Sequence, residues 1–307
     1  MADPRPPDNG QAVIVDRGYR HYEGTRTGRR GAIRAIVREG FRRVLGLRRK
    51  AKRKLLPWVL IALALASVVI LVTISWVQSQ IPVSGEASDL VPRYRGYFDF
   101  ISVVALLFAA YAGAQLLVPD RTHGVLNVYF SRPLSLRDYL VAKALAYAAV
   151  ILSFWLVPQI LLHLGLAALS SEGFLSYLGG TTDILWKVPL AALVYFVLHA
   201  SLSFVAASFV NRVGGAASAF LAASLGLNLV ALFFQEAVED ARGTRWAALL
   251  ATEQHPRYVR DWIFGVHEDA QWIPAQAGFG PEVSLTVVIG IAVVSVILVS
   301  WRYRRLT

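Results

Sequence analysis

Few side chains in this sequence are placed to do chemistry, and those few sit inside long apolar runs. His199 stands near the middle of the run Lys187 to Val210, Asn228 lies within Gly214 to Phe234, and Gln159 sits beside Pro158 in a run that starts at Tyr139. An ionisable side chain inside a membrane span is by default a functional candidate, because it can pass a proton, line a path for a polar group, or bond neighbouring helices. For a lone histidine the plainer role is a neutral ring bonded between helices. Asn228 and Gln159 read equally as such glue or as the lining of a substrate path, and His163, near the end of its run, carries less weight. The spans hold no relay of acids, which disfavours proton-driven transport. There is no GxxxxGK[ST], HExxH or GxSxG, no His and acid cluster at metal-ligand spacing, and no cysteine. Nucleotide binding through a Walker loop, thiolate chemistry and a metal site are therefore not expected in this chain. No catalytic residue or cofactor is expected in it either.

The elements that carry these residues follow from composition. The 307 residues are 56% hydrophobic and 17% charged with mean hydropathy +0.50, the profile of a polytopic membrane protein. Six apolar runs, Pro57–Gln78, Phe98–Val118, Tyr139 to about Leu169, Lys187–Val210, Gly214–Phe234 and Val283–Trp301, each suffice to cross hydrocarbon as a helix, which takes roughly 20 residues. An even number puts both termini on one side. Arg48, Arg49, Lys50, Lys52, Arg53 and Lys54 before the first run, and Arg302, Arg304 and Arg305 after the last, place that side in the cytoplasm. The expected fold is all-α: six transmembrane helices preceded by a basic amphipathic interfacial helix. High Ala, Arg, Val and Leu usage points to a GC-rich bacterial genome, hence to the inner membrane.

The net charge of +11 is concentrated in the first 56 positions beside a span, where anionic lipid is a nearer partner than nucleic acid. Residues 1–30 read as a flexible cytoplasmic tail and 31–56 as an elbow helix. In it Ile33, Ile36, Val37, Gly40, Phe41, Val44 and Leu45 recur at three- and four-residue steps, while Arg34, Arg38, Arg42 and Arg43 take other faces. Arg34, Arg38, Phe41 and Arg42 are the expected membrane-surface residues. The remainder, 57–307, is the membrane domain, with an outer segment at 235–282 expected to form one or two short capping helices.

Between the second and third runs lies the polar stretch 119–143, PDRTHGVLNVYFSRPLSLRDYLVAK. Gly124 follows a polar cluster, and Val125, Leu126, Val128, Tyr129 and Phe130 supply a short amphipathic helix. Pro133 breaks it, since proline lacks an amide proton and disfavours helix at Arg132. Ser135 and Asp138 then have capping-box spacing and restart a helix. Asp120, Gly124, Leu126, Ser131, Arg132, Pro133, Leu134, Ser135 and Lys143 together resemble the cytoplasmic loop between the second and third spans of type-2 ABC exporter permeases. The sequence departs from that family in an aspartate where glutamate is usual, in Asn127 and in Leu136.

The resemblance implies that residues 119–138 are a coupling helix resting on a separate ATPase subunit. Asp120, Arg121, Gly124, Val125, Leu126, Tyr129, Arg132 and Pro133 would be its contact residues, with apolar side chains filling a groove in the partner. It further implies two ATP-binding subunits, which hold the ATP and magnesium, and a second copy or related permease chain. The function expected is ATP-driven outward movement of a hydrophobic or amphipathic substrate. A membrane-embedded assembly factor or enzyme without transport activity, or an anchor that recruits a cytosolic partner, stays open at this stage.

Overall fold

A computed structural model describes residues 28–47, 50–51, 54–80, 94–131, 134–237, 244–266 and 271–306. These residues form helices and connections, with no strand among them. In chain order the helices are α1 (Gly28–Val44), α2 (Leu55–Gln80), α3 (Tyr94–Phe100), α4 (Ser102–Thr122), α5 (Val125–Phe130), α6 (Leu136–Ala168), α7 (Phe174–Gly180), α8 (Ile184–Phe209), α9 (Val213–Ala237), α10 (Gln254–Phe264), α11 (Ile273–Gln276) and α12 (Pro281–Arg304), with a 3-10 helix at Thr244–Leu250. The tail assigned to 1–30 falls outside the described residues up to position 27.

Six of these, α2, α4, α6, α8, α9 and α12, are long and apolar enough to cross a membrane, and each coincides with an apolar run of the sequence. The chain is an integral membrane protein. Helices α4, α6 and α8 form the inner part of the bundle, while α2, α9 and α12 leave most of their apolar side chains outside it, as lipid-facing helices must. Phe98 on α3, Trp155 on α6 and Tyr195 on α8 stack with centroids 4.9 to 5.4 Å apart and fix these helices at one level. Helix α6, at 33 residues, is about 50 Å long, more than a bilayer core requires.

Three boundaries differ from the sequence reading. The second span begins at Ser102, because Tyr94–Phe100 forms a separate turn of helix whose Tyr97 and Phe98 are buried in the bundle. The amphipathic helix spans 28–44 rather than 31–56, ending as Gly46 takes a left-handed φ of +65°. The described residues of the segment 235–282 include, between α9 and α12, the 3-10 helix, α10 and α11, which with α3 and α7 lie at one end of the bundle. That capped end lies opposite the basic end, where α1, α5, the α8–α9 turn and the last turn of α12 meet.

Candidate functional site

At the basic end, α4 stops where His123 hydrogen-bonds back to Pro119, and Gly124 turns the chain with φ +66° and ψ 16°. A side chain there would be strained in this left-handed region, which glycine enters without cost. One and a half turns of helix follow, and Ser131 closes them with its hydroxyl on the Val128 carbonyl at 3.0 Å. Then Ser135 restarts the chain: its hydroxyl accepts from the Asp138 amide at 3.2 Å while the Asp138 carboxylate accepts from the Ser135 amide at 3.0 Å. This reciprocal pair is the capping box expected from the spacing. Arg132 and Pro133 lie outside the described residues.

The side chains of α5 sort differently from the expected docking face. Leu126 is 5% exposed, packed into the chain's own core. Tyr129 is half-buried, its ring 5.7 Å from that of Tyr139, and Phe130 meets the same ring edge-on. Tyr139 in turn lies 5.8 Å from Tyr303 of α12, so this aromatic group binds the short helix to two long ones. Val125 is half-buried, and the outward side of α5 is Asn127 and Val128, the latter 58% exposed. Leu126 is thus a core residue, because on so short a helix one face must hold it to its own bundle.

Asp120 and Arg121 likewise bond to other helices of the chain itself. Asp120 is fully buried, takes an ion pair from Arg43 of α1, a second from Lys143 of α6 at 2.5 Å, and the hydroxyl of Tyr139 at 3.2 Å. A buried charge persists only when it is paired and hydrogen-bonded. The guanidinium of Arg121 donates to the carbonyls of Ser208 and Val210 at the end of α8. It satisfies acceptors that a helix terminus leaves open and places a cation against the negative end of the helix dipole. Arg302 of α12 adds a bond to the Ser208 carbonyl at 3.4 Å. Arg29, at the start of α1, clasps Asp138 of the capping box with contacts of 2.9 and 2.5 Å.

Helix α1 is therefore pinned at both ends to α6 and α4. Ile36, Gly40 and Val44 form its buried stripe, and a Cβ on Gly40 would lie 2.7 Å from the Cβ of Ala146 and 2.8 Å from Leu116 Cδ2. Much of the apolar face faces protein. Arg34 and Arg38 are exposed and Arg42 and Phe41 half-buried, on the sides turned away from that stripe. Between α1 and α5 runs a groove of about 260 Å³, walled by Ala32, Ala35 and Glu39 on one side and by Val128, Tyr129 and Leu134 on the other.

The three polar residues of the spans lie apart from this end. Gln159 donates to the Tyr94 carbonyl at 2.9 Å and so braces α3 against α6. His199 is not alone: its Nε2 lies 3.3 Å from Oε2 of Glu253, an acid carried into the bundle by the segment before α10. Asn228 is half-buried on α9, one turn beyond Ser224, whose carbonyl accepts from Thr252 at 3.1 Å. Sequence reasoning missed Arg43 and Lys143 as partners of Asp120, and it missed Glu253. It also missed Arg260, which is fully buried on α10 with Asp99 at 2.8 Å and Asp261 at 2.7 Å. Burial alone would lower the Arg260 pKa, but Tyr195, Asp99 and Asp261 outweigh it and raise it. Among the described residues no group of His, Asp and Glu could hold a metal ion.

Residues 47–305 match the family model described as "ABC-2 family transporter protein". No curated protein matches the chain.

Proposed function

The chain belongs to the ABC-2 transporter family and is a membrane permease component, and from that premise we propose that it couples ATP hydrolysis in a separate subunit to outward movement of a hydrophobic or amphipathic substrate. The observation that carries this reading is the build of the basic end. A short helix, α5, hangs between two spans on a left-handed glycine and a capping box. Rings join it to α6 at Tyr139 and through that residue to α12, and just before it the ion pairs of Asp120 tie α4 to α1 and α6. A push on such a helix is shared at once by several spans instead of being absorbed by a loop. Close-packed interiors transmit displacement because they have little room to yield.

In this reading the docking face is Val128 with Asn127, together with the adjoining groove, which offers room for one large side chain of the ATPase. Glu39 at the groove's wall selects a basic neighbour. Arg121 acts by holding α8, and Asp120 by holding α1 and α6, so both are positioning residues. The partner subunits bring ATP and magnesium, two ATPases serve two permease chains, and the basic end with both termini faces the cytoplasm of a bacterial cell. Affinity purification of the full chain from its native membrane, with mass-spectrometric identification of what accompanies it, tests the reading. Recovery of a Walker-type ATPase in equal amount is the expected result, and its absence from gently solubilised membranes overturns the coupling.

A further inference from the structure

On the other side of α1 from the α5 groove there is a second concavity, and its lining differs in kind. It has a volume of about 170 Å³ and opens between α1 and α2, walled by Phe41, Leu45, Ile61, Phe154 and Val157 with Pro158 at its far end. Both α1 and α2 pack on α6 and α4, and a direct link between them is the bond from Trp58 Nε1 to the Leu45 carbonyl at 3.1 Å. Of the lining residues, Ser153 carries the single hydroxyl, and that hydroxyl is already donated to the Ala149 carbonyl at 2.6 Å. Among the lining side chains a water molecule would find only the acceptor side of that hydroxyl, short of the two to four partners a buried water needs, whereas an apolar cavity of roughly 150 Å³ stays dry and accepts a molecule of benzene's size. Left empty, its walls would forfeit their dispersion contacts. Facing hydrocarbon, the groove is filled by hydrocarbon.

Charge determines which hydrocarbon. Residues three and four apart share a helix face, so Arg38 and Arg42 alternate with Phe41 and Leu45 along one stripe of α1. The one acid of α1, Glu39, lies instead on the flank that walls the α5 groove. Arg43 is engaged by Asp120, which leaves Arg38 and Arg42 as the cations that helical spacing sets beside the groove residues Phe41 and Leu45. We propose that this groove is a lipid-binding site that holds one acyl chain of an anionic phospholipid, with the phosphate seated on Arg38 and Arg42. The proposal rests on α1 lying at the membrane surface, as expected from its sequence, and on the basic end facing the cytoplasm, as the functional reading has it, and it adds a specific occupant. A lipid held there would fill the gap between α1 and α2 and so stiffen the helix that Asp120 ties to the spans.

Native mass spectrometry of the full chain, extracted from its membrane and washed free of loosely held lipid, tests it. The wild-type chain should retain one phospholipid per copy, enriched in anionic headgroups relative to the membrane. Ser153→Phe and Val157→Trp place bulk in the groove from exposed positions of α6, and each should lower retention about tenfold. Arg38→Gln and Arg42→Gln should keep the lipid count but reduce the preference for anionic over zwitterionic headgroups, about fivefold each. Equal retention in the groove-filling variants, or retention with no headgroup preference, overturns the site. Quenching by brominated lipid, read as the part lost in Trp58→Phe, separates the two levels of the argument. A quenched Trp58 without retained lipid overturns the site and leaves the surface placement of α1 standing, whereas an unquenched Trp58 overturns both.

Discussion

Lys143 Nζ sits 2.5 Å from Asp120 Oδ2, with both side chains closed to solvent. The second cation on that carboxylate, Arg43, is 12% exposed. The distinction sets what each substitution does. Removing one partner of a buried pair costs roughly 3–5 kcal/mol, since the other charge is stranded in a medium that cannot solvate it. Arg43 can turn toward water when its partner goes, but Lys143 cannot.

The first prediction follows from that asymmetry. Asp120→Asn strands Lys143 and should lower the unfolding temperature of the purified chain strongly, whereas Arg43→Gln leaves the Lys143 pair intact and should lower it less. The double variant Asp120→Asn with Lys143→Met, which removes both sealed charges, should recover part of the loss. Thermal unfolding of the three proteins in one detergent decides it, and equal midpoints for Asp120→Asn and wild type would mean that the pair bears no load.

Gly40 tests whether α1 is docked or merely adjacent. In an isolated helix, Gly→Ala gains about 1 kcal/mol, so a loosely placed α1 would be helped by the change. In the packed bundle the new methyl would meet Ala146 Cβ at 2.7 Å and Leu116 Cδ2 at 2.8 Å, and overpacking of this kind costs roughly 1–3 kcal/mol. Gly40→Ala should therefore free α1 from α6, measured as faster proteolysis after its arginines, and a more protected α1 would exclude the packing described.

What could be read in the sequence was what depends on near neighbours. The capping box at Ser135 and Asp138 spans three residues, Gly124 announces its own turn, and six spans follow from run length alone. The inward orientation of Asp120 depends on Arg43, 77 positions away, and the partner of His199 lies 54 positions away at Glu253. Beside Asp120 stands Arg121, equally charged and equally placed at a helix end, and local pattern cannot say which neighbours either will meet. The amphipathic stripe of α1 likewise has the same period whether protein or lipid covers it. Gly40 within that stripe was the one local sign of a close helix contact.

Orientation can be tested directly because the chain has no cysteine. Ser135 and Glu172 are both exposed, at the basic and capped ends. Single cysteines there should behave oppositely in intact cells: position 172 labelled by an impermeant thiol reagent, position 135 labelled after the membrane is opened. The reverse pattern would put α5 outside, where no ATPase could reach it.

The docking face separates two residues that a helical wheel alone does not rank. Val128→Asp places a charge on an exposed position of α5 and should leave folding unchanged while reducing ATPase copurification by about tenfold or more, since buried anchors at interfaces commonly carry ~2 kcal/mol. Leu126→Ala opens a cavity in the chain's own core and should cost about 2–5 kcal/mol of stability, with any loss of binding following the loss of fold. Normal copurification of Val128→Asp would remove α5 as the contact.

A last prediction concerns pH at the capped end. His255 on α10 is fully buried, its Nδ1 3.0 Å from the Ser284 hydroxyl and its Nε2 3.0 Å from the Leu249 carbonyl. The neutral tautomer with hydrogen on Nε2 satisfies both, donating to Leu249 and accepting from Ser284. Burial pushes its pKa below the usual 6.5, and the Leu249 carbonyl offsets this only in part. The unfolded segment therefore takes up a proton at higher pH than the folded one. Stability supplied by this group is complete above about pH 6.5 and falls as pH drops below it, with a slope of at most about 1.4 kcal/mol per unit, until the folded ring is also protonated. His255→Gln, which can bond but not titrate, should flatten the dependence of α10 protection on pH as pH falls below about 6.5. Hydrogen exchange of residues 254–264 measures this, and an equal slope in wild type and variant would assign the titration to another group.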